Sequence, residues 1–209
     1  LTGRQRTAAL VLKTRAFGDD ALIVDLLCEQ IGRVSVLARG ARKSVKRYGG
    51  ALEMGARLDA EVRFAPGRDL HALGACEVTT PLRKIREDLD RIHSLAYLLE
   101  LVRLSTREGT GDAALYTLAC GMVDTLEQVA PTPELLALWD LALFGRLGYG
   151  PPSMAGLSGA ARATLERLSA GDAEARFAES DVQVVRRHFD HQWTRVLGQA
   201  PRSARFLAA

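Results

Sequence analysis

Ala8-Ala-Leu-Val-Leu-Lys-Thr-Arg15, Ala21-Leu-Ile-Val-Asp-Leu-Leu-Cys28 and Arg33-Val-Ser-Val-Leu-Ala-Arg39 are three short runs rich in aliphatic and β-branched residues. Phe17-Gly-Asp-Asp20 and Glu29-Gln-Ile-Gly32 separate them, each with a glycine where a tight turn needs positive φ, so the runs read as strands joined in hairpins. Working outward, Leu58 to Phe64 alternates strictly, Pro66-Gly-Arg-Asp69 supplies a turn, and Leu70 to Val78 returns as another strand. Five short strands are too few for a wide barrel and too many for a lone hairpin. They predict a small five-stranded barrel of the OB type over residues 1–80, an architecture whose faces and loops often bind oligonucleotides.

Pro81 marks a change of period. Leu82 to Arg107 reads as one long helix, with Ile85, Leu89, Ile92, Ala96 and Leu99 three or four apart. Gly109-Thr-Gly-Asp112 interrupts it, and Asp112 is placed to cap a helix through Gln128. Thr132-Pro-Glu offers a cap with proline in the first turn of a third helix running to Gly148. A looser stretch, 148–159, precedes a short helix to Leu168 and a last one from Ser180 to about Gly198. The predicted class is therefore α+β and multidomain: a barrel over 1–80 and an α-helical bundle over 81–209.

The net charge of +3 is unevenly spread: residues 1–80 hold 13 Lys+Arg against 9 Asp+Glu, and the remainder 15 against 16. All the excess positive charge thus lies in the barrel half, the asymmetry expected when one part meets a polyanion and the other meets protein. Cys28, Cys76 and Cys120 are far apart and odd in number, which implies neither a disulfide framework nor a zinc site. No apolar run approaches a membrane span and none reads as a secretory signal, so a reducing cytoplasm is the expected compartment. No cofactor and no metal are expected.

Between Arg39 and Gly50 stand Arg39, Arg42, Lys43, Lys46 and Arg47, one tyrosine, three glycines and no acid. A mobile basic loop leaving a strand lets guanidinium and ammonium groups reach successive phosphates. The plainer reading, a lysine- and arginine-rich surface loop that aids solubility, competes with it. Tyr48 and Phe17 read either as rings that stack on bases or as barrel packing. Arg15, Arg33 and Arg63 extend the cationic track if strand register brings them to it.

Elsewhere the candidates are thinner. His188 and His191 share a helix face with Asp190 near them, but a third ligand is missing and Phe189, Trp193 and Val196 make them the margin of an amphipathic helix. His71 and His93 stand alone. Arg146, between Gly145 and Gly148, reads as a cation for a partner's carboxylate or as an arginine snorkelling at the bundle edge. No nucleophile motif, phosphate loop or carboxylate repeat points to an enzyme. A DNA-binding protein, a non-catalytic protein-interaction adaptor acting through the helices, and a nuclease using His188 and His191 are the three functional classes left.

Several stretches in order resemble the RecO family of recombination mediators. They are Ala8 to Val24, Gly32-Arg-Val-Ser-Val-Leu-Ala-Arg-Gly-Ala-Arg-Lys43, Gly49-Gly-Ala-Leu-Glu53, Leu82-Arg-Lys-Ile-Arg-Glu-Asp-Leu89, Ala96-Tyr-Leu-Leu-Glu-Leu101, Leu147-Gly-Tyr-Gly-Pro151 and Arg202-Ser-Ala-Arg-Phe-Leu207. The resemblance implies an OB-fold joined to a helical domain that binds single- and double-stranded DNA and anneals complementary strands. It further implies help in loading RecA onto strands coated by single-stranded DNA-binding protein, with RecR and the acidic tail of the single-strand binder as partners. Family DNA contacts carry over onto Arg39, Arg42, Lys43, Lys46 and Arg47. Many members insert a four-cysteine zinc module after the Leu-Gly-Tyr-Gly-Pro stretch, whereas this chain runs from Pro152 to Ser158 without a cysteine.

Overall fold

The computed structural model describes residues 3–43, 48 and 51–207. Five strands, β1 (Gly3–Phe17), β2 (Ala21–Cys28), β3 (Gly32–Ala38), β4 (Arg57–Phe64) and β5 (Leu70–Thr80), close a barrel in the order β1-β2-β3-β5-β4. The first strand begins at Gly3, earlier than the Ala8 read from the sequence, because it serves two partners in succession. Its first half pairs with β4 (Gly3 opposite Phe64, Leu10 opposite Arg57) and its second with β2 (Ala9 opposite Cys28, Phe17 opposite Ala21). Closure comes from a short parallel ladder that sets Ser35, Val36 and Leu37 of β3 beside Leu70, His71 and Ala72 of β5.

Strand alternation lets β1 contribute to two interiors, just ahead of an irregularity between Val11 and Lys13. Ala9 and Val11 point into the barrel with Val24, Leu26, Val36, Leu58 and Val62. Leu10 and Leu12, with Leu27, instead join the helices, where Leu98, Leu99, Val102, Phe144, Phe189 and Trp193 form the larger core.

The long helix expected over 82–107 is divided. A single turn, α1 (Lys84–Glu87), is separated from α2 (Leu89–Ser105) by Asp88, whose backbone is extended and whose carboxylate accepts from the Asp90 and Arg91 amides. An aspartate that can satisfy two orphan amides favours a new start over continuation. Leu89, read as part of the buried stripe, is consequently 64% exposed. The helices α3 (Ala113–Gln128), α4 (Pro133–Arg146) and α5 (Gly159–Ser169) start on the caps Asp112, Thr132 and Ser158. The next, α6 (Glu179–Leu197), stops at Gly198, whose φ of 71° no β-carbon-bearing residue adopts cheaply. A final 3-10 turn, Arg202–Phe206, packs back on α2.

Barrel and helices meet closely at the β2–β3 turn. Gly32, at φ 83°, has no room for a β-carbon, which would overlap the Thr110 carbonyl; one on Gly111 would overlap the Gln30 carbonyl. Glycines at both points allow backbone to touch backbone across the seam.

Candidate nucleic-acid interface

The basic segment begins where β3 ends. Arg39 is exposed, Gly40 turns the chain at φ 70°, and the Arg42 amide donates to the Asp20 carbonyl at 3.0 Å. The Arg42 guanidinium reaches back to the Gly18 and Asp19 carbonyls at 3.2 and 3.3 Å. Carbonyl oxygens orient the guanidinium without cancelling its charge. Arg39, Arg42 and Lys43 are all exposed, and among the described residues none has a carboxylate within the 4.0 Å of an ion pair. Arg15 is likewise exposed on β1, two residues from Phe17, whose ring is 50% exposed beside the same turn. Lys46 and Arg47 lie outside the described residues.

Three further candidates have contacts of their own. Tyr48 is 5% exposed and packs in the barrel cluster with Ala51 and Leu52, the barrel-packing alternative of its two readings. Arg33 is engaged elsewhere: its Nε donates to the Thr106 carbonyl at 3.1 Å and its Nη1 pairs with Glu108 at 3.1 Å, tying β3 to the end of α2. Arg63, placed on the same track, pairs with Glu61 at 2.7 Å.

Arg146 stands at the end of α4. Its guanidinium bonds the Asp112 carboxylate that caps α3 and remains partly exposed. Burial pushes the Asp112 carboxyl up, but the Arg146 hydrogen bond and the Leu115 amide outweigh it and hold the group below the usual carboxylate range. His188 and His191 do not build a site: His188 is half-buried, its pKa lowered by burial and by the neighbouring His191, and Asp190 is held by Arg186. Among the described residues no three His, Cys, Asp or Glu side chains converge on one point, so a zinc module does not fit the residues present. His71 packs edge-on against Phe64 at 4.7 Å, and His93 stacks on Phe206 at 4.9 Å.

Sequence reasoning missed two features. Lys13, exposed on β1, precedes Arg15 and Phe17 at strand spacing and belongs to the same face; that alternation was the available signal. Asp140, at 0% exposure, anchors a buried network of Tyr97, Arg186 and Trp193 that no local pattern announces.

Residues 4–82 match the family described as Recombination protein O N terminal, and residues 86–188 the one described as Recombination protein O C terminal. The chain belongs to the RecO family. Similar relatives named DNA repair protein RecO come from Anaeromyxobacter dehalogenans (strain 2CP-1 / ATCC BAA-258), 35% identical over 71% of this chain and 58% of that protein, and Pelobacter propionicus, 35% identical over 70% and 59%. Another, from Geobacter sulfurreducens, is 35% identical over 69% of this chain and 58% of its own length. The chain thus spans about 58% of the length of the curated RecO relatives it matches. The five-stranded barrel followed by helices is the arrangement the RecO resemblance implied. Among the described residues no helix is long and apolar enough to cross a membrane.

Proposed function

We propose that this RecO-family chain is a non-catalytic mediator of DNA repair and recombination that works in the cytoplasm. It binds single- and double-stranded DNA, anneals complementary strands and helps load RecA onto strands coated by single-stranded DNA-binding protein, with RecR as a partner. The observation that carries this reading is the exposed trio Arg39, Arg42 and Lys43, which has no carboxylate partner among the described residues and stands on a barrel with exposed Arg15 and Phe17 beside it. In this proposal residues 1–80 form the DNA-binding domain and residues 81–209 the helical domain that meets protein partners.

No covalent step is required. Annealing needs two repelling phosphate chains to be neutralised while bases stay free to sample partners, which unpaired cations on an exposed turn provide. Arg42 is pre-oriented by two carbonyls, which reduces the entropy it loses on meeting a phosphate. With Lys46 and Arg47 included, about five neutralised phosphates give a slope of log K against log salt near −3.5 for single strands.

Fluorescence anisotropy of a labelled single-stranded oligonucleotide across a salt series tests the proposal. Saturable binding with a steep negative slope supports it. Absence of saturable binding at moderate salt rejects it in favour of an adaptor acting through the helices.

A further inference from the structure

A second cationic surface lies where the barrel meets the helices. A groove of about 220 Å³ is lined by Lys13 of β1, Arg103 of α2, and Arg202, Arg205 and Phe206 of the 3-10 turn, with Glu100 on its wall. Four cations face one carboxylate, whose charge acts on Arg103 and leaves the groove positive on balance. Glu100 Oε2 accepts from the Ser203 amide at 2.8 Å and from the Ser203 hydroxyl at 2.5 Å, which fastens the 3-10 turn to α2. Among the described residues none of the four cations has an acidic group within ion-pair distance. Unfilled positive charge brought together from three separate elements is unfavourable unless an anion compensates it.

The groove also carries a π surface. Phe206 is 42% exposed, stacks on His93 with an interplanar angle of 17°, and has the Arg205 guanidinium 4.7 Å from its ring centre. Ring and guanidinium planes at the edge of a cationic groove suit unstacked bases, which duplex DNA does not offer.

We propose that this groove binds a single-stranded nucleic acid, its phosphates on Lys13, Arg103, Arg202 and Arg205 and a base against the Arg205–Phe206 surface. The inference rests on the nucleic-acid reading above and extends it to a second site. Continuity selects a polymer over a short acidic peptide. From Lys13 the exposed face of β1 runs through Arg15 to Phe17, about 13 Å on at strand rise, and ends at the turn whose carbonyls hold Arg42. One strand can therefore run from the seam groove past Lys13 and Arg15 to the basic turn, meeting the carboxylates of Asp19 and Asp20 only at that turn.

Three oligonucleotide titrations of the full chain test this. Arg202→Ala/Arg205→Ala, both exposed side chains, is expected to make the salt slope for oligo-dT shallower by about 1.4; Lys13→Gln, on the barrel side, gives an independent variant with a loss of about 0.7. Phe206→Ala is expected to weaken oligo-dT about tenfold while leaving an abasic oligomer of the same length unchanged. Unaltered slopes in the seam variants, with a flattened slope in Arg39→Ala/Arg42→Ala/Lys43→Ala, would overturn the groove and leave the basic turn standing. No binding by the unmodified chain overturns both. An oligo-aspartate peptide whose binding depends on Arg202 and Arg205, while oligo-dT is indifferent to them, would mean the groove takes an acidic peptide instead.

Discussion

Asp140 Oδ2 accepts from Arg186 Nη1 at 3.0 Å in the helical core, where Asp140 has 0% exposure and Arg186 8%. The other carboxylate oxygen takes the Tyr97 hydroxyl and the Trp193 indole N–H, each at 2.7 Å, and the Arg186 guanidinium also lies over the Tyr97 ring. Burial opposes the Arg186 charge, but Asp140, Tyr97 and Asp190 outweigh it and raise its pKa further above the ordinary value. Removing one member strands a buried charge. Arg186→Met is therefore expected to lower unfolding free energy by about 3–5 kcal/mol, read from urea denaturation with an unchanged m-value. A loss under about 1 kcal/mol would show the network to be dispensable.

The basic turn separates charge from stability. Arg39→Ala/Arg42→Ala/Lys43→Ala removes three contacts and is expected to make the single-strand salt slope shallower by about 2. Among the described residues the trio's side-chain bonds are those of Arg42 to Gly18 and Asp19, so the stability change should stay at about 1 kcal/mol. A large fall in melting temperature with the slope preserved would reverse the assignment.

Backbone contact across the seam makes Gly32 and Gly67 an informative pair. Both have positive φ, 83° and 68°, but a β-carbon on Gly67 meets nothing within 4 Å whereas one on Gly32 overlaps the Thr110 carbonyl. Gly67→Ala should cost about 1–2 kcal/mol, and Gly32→Ala several more because strain and clash add. Equal melting temperatures for the two variants would deny the close approach.

Acid should loosen α1. Burial pushes the Glu127 carboxyl up, but the amides of Ile85, Lys84 and Arg83 donate to it, at 3.1, 3.0 and 2.9 Å, and hold it below the usual carboxylate value. A group whose pKa is depressed by folding stabilises fully above its unfolded value, about 4.3, and loses that contribution as pH falls through the folded one. Stability of the native chain should thus fall more steeply below about pH 4.5 than that of Glu127→Gln. Parallel profiles from pH 7 to pH 3 would remove Glu127 from the acid response.

Much of the barrel was readable because alternation and turn glycines are local signals: Ala21–Cys28 ends where the sequence pattern ends. The helical caps Asp112 and Thr132 are equally local. The break at Asp88 was missed although its partners, the Asp90 and Arg91 amides, are local, because the apolar spacing of Ile85, Leu89 and Ile92 runs straight across it. The rest of what escaped depends on distant partners. Arg33 looks like Arg39 until Glu108, far along the chain, arrives beside it. Arg103 and Arg202 are unremarkable in sequence and share a groove only because Ser203 is fastened to Glu100.

A strand that supplies Val11 to one interior and Leu12 to the other ties their fates together. Severing the polypeptide near residue 81 would leave each fragment with a raw apolar wound, the helices losing Leu10, Leu12 and Leu27 and the barrel exposing them. Heat should accordingly melt both halves in a single step, and neither should behave as a portable module.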